Sequence, residues 1–326
     1  MGITSPSPFE AAERHILQWL GDGHNGEMAW LNEARTRLAT HPDKLLQGAK
    51  SLVVVGVNYR ADEATPRKSG RVARYAWGSD YHDVIKARLR LLAGFLGPDQ
   101  RARVFVDSGP LVERDAAVRA GLGFRGKNTN LLTPIGSYVF LAALLTTVEL
   151  EFDQPTIKDC GTCTLCLDAC PTQALDQPYH LQAERCISYL TIEHRGPIAS
   201  ELRPEMRDWI FGCDICQEVC PYNASPRNKP RTWPEFEPRP LCDLPGLLAL
   251  DDEAFRTTFK GSPVKRAKRR GLARNVAIAL GNSGDARALP ALEEAAHGDP
   301  EPLVREAAEW SIRQLQATTA ETRASG

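Results

Sequence analysis

Cys160-Gly-Thr-Cys163-Thr-Leu-Cys166-Leu-Asp-Ala-Cys170-Pro171 decides how this chain is read. The spacing C-x2-C-x2-C-x3-C, closed by proline, is the run with which bacterial ferredoxins hold 4Fe–4S clusters. The short gaps let three thiolates reach three irons of one cube, while the fourth, just ahead of the proline, points to a second cube. A second run follows, Cys213-Asp-Ile-Cys216-Gln-Glu-Val-Cys220-Pro221, with Ile210 where its first cysteine would fall. Crossing the fourth ligands gives one expected set of Cys160, Cys163, Cys166 and Cys220, and a second of Cys170, Cys213 and Cys216 with one place open. Cys186, between the runs, and Cys242, beyond them, compete for that place; the shorter loop closure favours Cys186. A zinc ribbon would use pairs of cysteines rather than a four-membered run ending in Cys-Pro.

Ahead of the cysteines, strands alternate with helices. Residues 51–59 are short, β-branched and buried in type, and residues 103–107 and 136–147 read as further strands. Residues 80–96 read as a helix with Val84, Leu89, Leu92 and Leu96 on one side, and 111–120 as another, closed by Gly121 and Gly123. The alternation predicts an α/β domain over 1–152, a double-cluster ferredoxin-like domain over 153–238, and a helical region over 239–326, within a multidomain chain of mixed α/β and α+β class. The Pro- and Arg-rich residues 226–240 read as a linker. Arg274-Asn-Val-Ala277 and Arg305-Glu-Ala-Ala308 recur 31 residues apart, a HEAT-type repeat. Two copies are fewer than the roughly three that fold alone, so they are expected to pack on the rest of the protein.

The bulk numbers narrow the function classes. A formal net charge of −1 over 326 residues means that any nucleic-acid surface must be a local patch. No apolar run approaches the ~18 residues of a membrane span, and no secretory pattern opens the chain. Most of the nine cysteines fall in two tight clusters, which reads as metal binding in a reducing cytosol rather than disulfide stapling.

Cluster irons fully ligated by thiolates carry electrons and leave bond chemistry to another site. Asp107, at the end of a predicted strand, suits a proton donor in a sheet-end crevice, or equally a turn or cap before the next helix. Gly121-Leu-Gly-Phe-Arg-Gly-Lys127-Asn128 reads as a cradle for a phosphate or large cofactor, or as a tight surface turn. Tyr75 to His82 is polar and aromatic. It misses the cobalamin pattern D-x-H-x-x-G, because Ile85 follows Asp80 and His82 where glycine belongs. No acid interrupts residues 254–284, where Lys265, Arg266, Lys268, Arg269, Arg270 and Arg274 concentrate; this suits phosphate binding or a plain solvated face.

Taken together these motifs resemble the epoxyqueuosine reductases, cobalamin-dependent enzymes of tRNA queuosine modification. The resemblance is carried by Arg74-Tyr75 with Gly78 to His82, by Val-Asp107-Ser-Gly-Pro-Leu-Val-Glu-Arg, and by Ala-Gly121-Leu-Gly-Phe-Arg-Gly-Lys-Asn. The first cysteine run, Cys186-Ile-Ser-Tyr-Leu-Thr-Ile-Glu, Gly212-Cys-Asp-Ile-Cys-Gln-Glu-Val-Cys-Pro and Arg274-Asn-Val-Ala-Ile-Ala-Leu-Gly-Asn complete it. It implies a base-off cobalamin domain, a double 4Fe–4S domain and a HEAT-like C-terminal part, with Cys186 as eighth ligand. It makes Asp107 the proton donor, kept protonated by burial, with Tyr75, Tyr81, His82, Ser108, Lys127 and Asn128 toward the cobalamin. It further implies a tRNA substrate, a one-electron donor such as ferredoxin or flavodoxin, a monomer, and a cytoplasmic location. The family's first strand is expected to be lacking here, since the chain starts at Met1-Gly-Ile. The rival readings are a corrinoid reductive dehalogenase, an electron carrier without chemistry of its own, and an RNA-binding repeat module.

Overall fold

The computed structural model describes residues 1–61, 70–224 and 232–324. Its main sheet has four strands in the order Gly2–Thr4, Ser51–Asn58, Val139–Thr146, Ala102–Phe105. Every neighbouring pair is antiparallel. The alternation of strands and helices predicted an α/β layer without fixing strand direction. The apolar strand Val139–Thr146 lies between Ser51–Asn58 and Ala102–Phe105, which run alike and are joined through the helix Tyr81–Gly94. Element order carries no strand direction, and a later strand inserted between two earlier ones reverses every contact. The opening residues Gly2–Thr4 do form a strand at the sheet edge, where the sequence reading expected one to be lacking.

The sheet's geometry gathers the polar residues. The ends of Ser51–Asn58 and Ala102–Phe105 and the start of Val139–Thr146 meet at one edge, where the Tyr59 N–H donates to the Tyr138 carbonyl at 3.0 Å. Asp107 leaves the sheet at that edge. The helix Tyr81–Gly94 starts there too, capped by Asp80, whose carboxylate accepts from the His82 N–H. Tyr81, Ile85 and Leu89, four residues apart, form its buried stripe. Leu92, read from sequence as part of that stripe, is largely exposed.

The remaining expected domains share one hydrophobic core. It joins Val72 to Ala76, residues 183–215 and the helices from Leu244 to Leu315. A short parallel pair, Arg71–Val72 with Trp209–Phe211, links the first region to the cluster region. Part of the expected linker, 226–231, lies outside the described residues; beyond it Phe236 is buried edge-on against Phe140. The C-terminal helices Lys268–Asn282, Leu289–Gly298 and Pro302–Ala324 stack as the repeat requires. A Cβ on Gly281 would stand 2.6 Å from Ser311, whose hydroxyl donates to the Ala277 carbonyl. The repeat does pack on the rest: Asn275 donates to the carbonyls of Thr191 and Ile210, both at 2.9 Å.

Two residues of the basic segment belong to this packing and not to the surface. Arg274 is 1% exposed and donates to the carbonyls of Leu190, His194 and Gly196. Burial and neighbouring arginines lower its pKa to about 9. Arg269 is buried in a bidentate pair with Asp299. The helix Lys268–Asn282 is buried on nearly all sides after its first turn, so a run of charges there splits between surface and interior. Arg274→Ala strands three carbonyls and should lower unfolding free energy by about 3 kcal/mol or more. Chemical denaturation of the cluster-loaded protein checks this, and an unmoved midpoint would contradict it.

Candidate active site and cluster cradles

Eight thiols separate into two neighbourhoods. Burial raises the Cys166 thiol, and the charges of Cys160, Cys220 and Cys163 raise it further; Cys220 responds likewise to burial, Cys160 and Cys163. Burial and then Cys186, Asp214 and Cys170 raise Cys213. Burial and Cys170 raise Cys186, and burial with Cys213 and Cys186 raises Cys216 well above the ordinary range. Cys216 also feels Cys166, so the two neighbourhoods adjoin. Cys242 is exposed. Four crowded thiols resist ionising together unless cations sit among them, which is what a cluster's irons provide.

The backbone fits the same use. N–H groups of Ser188 and Tyr189 point at Cys186, that of Ile215 at Cys213, and those of Tyr222 and Asn223 at Cys220. Asn130 reaches the Cys216 sulfur at 3.9 Å. Hydrogen bonds to sulfur are a recognised means of tuning such clusters. Among the described residues no three His, Cys, Asp or Glu side chains converge as ligands of one ion would. A cube spreads its thiolates one to an iron. Lys127 and Asn128, expected toward the cobalamin, are engaged by the cluster loops. The Lys127 ammonium donates to the carbonyls of Gly161 and Cys163 at 2.7 and 3.0 Å, and the Asn128 amide donates to that of Cys216 at 3.2 Å.

Asp107 is the centre of a second constellation. It stands two residues beyond the strand Ala102–Phe105 with a positive φ of 51°, a conformation non-glycine residues seldom take. Its N–H donates to Glu113 at 2.6 Å, at the first turn of the helix Glu113–Arg119. Its Oδ2 accepts from the Tyr81 hydroxyl at 2.5 Å and lies 3.3 Å from His82 Nε2. The Tyr81 ring is sandwiched between His82 and Phe140, and Tyr75 meets it edge-on. The Asp107 side chain is 62% exposed, yet protein crowds it enough for burial to act on its pKa, as in the wall of a cleft. Ser108, in contrast, turns its hydroxyl back to the Val106 carbonyl.

Burial and hydrogen bonding act on Asp107 in opposite directions. Burial pushes its carboxyl up, but hydrogen bonds from His82 and Tyr81 and the charges of His82 and Arg114 leave it below the ordinary aspartate value. Burial would lower His82, but Asp107 and Asp80 raise it to about 9. Glu113 is raised to about 8 by burial and by Asp107. The same contacts favour a proton on His82 and on Glu113 over one on Asp107. Glu113 was not singled out from sequence, because a glutamate opening a helix reads as a partner of the helix dipole. His82 engages carboxylates through both ring nitrogens, Nδ1 at 2.7 Å from Asp80 and Nε2 toward Asp107. It therefore has no nitrogen free for a metal. That fits a corrinoid bound without a protein lower ligand.

The basic segment adjoins this cleft. Lys265 lies 3.1 Å from Asp80. Arg266 grips Glu193 with two hydrogen bonds of 2.9 Å and is close enough to Asp107 and Tyr75 to feel their charge. Lys268 and Arg270 are exposed. Four cations thus remain toward solvent once Arg269 and Arg274 are assigned to the interior.

This fold and these two constellations define an iron–sulfur oxidoreductase, with a double-cluster module attached to a separate site of acid–base chemistry. Three family models match in order along the chain: "Epoxyqueuosine reductase QueG, DUF1730" over residues 40–108, a 4Fe-4S double cluster binding domain over 159–223, and HEAT repeats over 266–313. The epoxyqueuosine reductase of Cellulophaga algicola is 40% identical over 285 residues, 84% of this chain and 91% of that protein. That of Pseudomonas aeruginosa is 40% identical over 319 residues, 93% of this chain and 87% of that protein. A crystal structure of epoxyqueuosine reductase with an epoxyqueuosine-modified tRNA-Tyr stem loop superposes with a TM-score of 0.88 at 37% identity, covering 96% of this chain and 85% of that one. The Bacillus subtilis enzyme, seen with its catalytic aspartate loop swung out of the active site, gives a TM-score of 0.87 at 35% identity, covering 96% and 86%. The chain belongs to the epoxyqueuosine reductase family. It is an oxidoreductase whose cofactors are two 4Fe–4S clusters and cobalamin. No described helix is long and apolar enough to cross a membrane.

Proposed function

We propose that this protein reduces epoxyqueuosine to queuosine at the wobble position of a tRNA anticodon. One observation carries the reading for this chain: the exposed cations Lys265 and Arg266 adjoin the Asp107 cleft, with Lys268 and Arg270 exposed just after them along the chain, so a strand held by its phosphates is brought beside the acid–base site. When bound, cobalamin supplies a strongly nucleophilic reduced cobalt, and the clusters supply electrons to it singly. Cys160, Cys163, Cys166 and Cys220 hold one cluster, and Cys170, Cys186, Cys213 and Cys216 the other. The second is the inner one, since Gly212 beside Cys213 abuts the Tyr75 ring, and Tyr75 feels the charge of Asp107.

The chain's residues handle the oxygen and the protons. Asp107 Oδ2 gives a proton to the epoxide oxygen as the ring opens, and Tyr81 fixes that oxygen in place. Tyr75, Tyr81 and Phe140 supply aromatic walls that keep water from the reacting carbons. Electrons arrive from a one-electron carrier such as ferredoxin or flavodoxin, and the enzyme works as a monomer in the cytoplasm.

The test is binding of an epoxyqueuosine-containing anticodon stem loop as salt is varied. Lys268→Ala and Arg270→Ala should each weaken binding and lower the salt slope by about one unit per lost phosphate contact. Affinity and slope equal to wild type in both would remove this face from the interface.

A further inference from the structure

Reducing an epoxide to an alkene consumes two electrons and two protons and releases water. The electrons have a source in the clusters, but the carboxyl of Asp107 is held below the ordinary aspartate value by its neighbours, so each proton it gives must be resupplied. Its Oδ2 touches two donors, Tyr81 and His82. Tyr81 is a poor source, because burial and Asp107 raise its phenol far above the ordinary value. Glu113 keeps a proton but is bonded to the Asp107 backbone, not to its carboxylate. That leaves His82, whose ring is held in a line of side chains: Lys265 Nζ lies 3.1 Å from Asp80 Oδ2, Asp80 Oδ1 lies 2.7 Å from His82 Nδ1, and His82 Nε2 lies 3.3 Å from Asp107 Oδ2.

We propose that His82 is the proton reservoir of the site, passing the Nε2 proton to Asp107 Oδ2 as Asp107 gives one to the substrate oxygen, with Asp80 and Lys265 holding the ring. No net bond is made at His82: its N–H breaks, the Asp107 O–H forms and is then lost to the substrate, and the ring takes a new proton from solvent on its 31% exposed side. The same exchange serves the second proton, which leaves with the oxygen as water. Transfer from imidazolium to a carboxylate is uphill, and the strongly basic alkoxide of an opened epoxide draws it through. His82 thus acts through Asp107. This inference rests on the reductase reading for its substrate.

The charged and titratable groups around the His82 ring are Asp80 and Tyr81 on its own element, Asp107, Glu113 and Arg114 beyond the neighbouring strand, Tyr75, and Lys265 and Arg266 from the C-terminal region. The anions outweigh Lys265, so the ring is protonated below about pH 9 and loses its proton above it. Turnover should therefore fall as pH rises through that value.

The experiment uses the cobalamin- and cluster-loaded protein. His82→Gln should lower turnover by about a hundredfold with KM for the stem loop unchanged. Added imidazole should restore His82→Ala. Asp80→Asn should move the alkaline fall to lower pH. Independently of turnover, 15N NMR of the histidine rings should place His82 near pH 9 in wild type and lower in Asp107→Asn. Wild-type turnover in His82→Gln, a defect in His82→Ala that imidazole leaves untouched, or a ring that titrates alike with and without Asp107 would each overturn the assignment. Failure of the substrate reading would look different: wild type would leave epoxyqueuosine unchanged while the ring still titrated with Asp107.

Discussion

Asp107→Asn should lower anaerobic turnover by about 10²–10⁴-fold, the usual worth of a positioned proton donor, with cobalamin and both clusters still bound. Asparagine keeps the shape and the partner for Tyr81 but cannot relay a proton. The positive φ of 51° favours the substitution, since asparagine tolerates that conformation about as well as aspartate. The defect should persist in single turnover with prereduced cobalamin, where electron delivery no longer limits the rate. Iron content and the cobalamin spectrum serve as controls. Full single-turnover activity would move the proton donor to Tyr75, Tyr81 or His82.

Cys186→Ser should abolish turnover and cut iron from about eight to about four atoms per chain. Serine places a harder, less willing ligand in the cluster proposed to lie nearer the Asp107 cleft. Cys242→Ser should leave iron and turnover intact, because Cys242 is exposed. Iron halved in Cys242→Ser and unchanged in Cys186→Ser would exchange the two assignments.

How much of this was legible in the sequence depended on whether the signal was local. The cysteine runs declare themselves because spacing along the chain is the ligand geometry. Cys186 needed only chain proximity, and the fold places it beside Cys170 and Cys213. Asp107 was legible from the end of its strand. Its partners were legible in part, since Tyr81 and His82 stood out as a polar aromatic stretch.

Three features were out of reach of the sequence, because the deciding fact is non-local. Strand direction in the sheet depends on which strand enters between Ser51–Asn58 and Ala102–Phe105, and no residue in either strand announces it. The basic segment has the composition of a phosphate-binding face. Composition cannot say that Arg269 would meet Asp299, or that Arg274 would turn inward onto the carbonyls of Leu190, His194 and Gly196. The protonation of Asp107 was inferred from burial beside the corrin. The pairing of His82 with both Asp80 and Asp107 acts in the opposite direction, and that pairing exists only once a helix start and a strand end are brought together.

The most direct test of the account is anaerobic incubation of the reconstituted protein with an epoxyqueuosine-containing anticodon stem loop and a chemical one-electron reductant, followed by mass analysis of the released nucleosides. The account predicts that the modified nucleoside loses one oxygen atom and becomes queuosine, in wild type and in Cys242→Ser, and that Asp107→Asn yields little. Epoxyqueuosine recovered intact from wild-type protein carrying both clusters and cobalamin would contradict it.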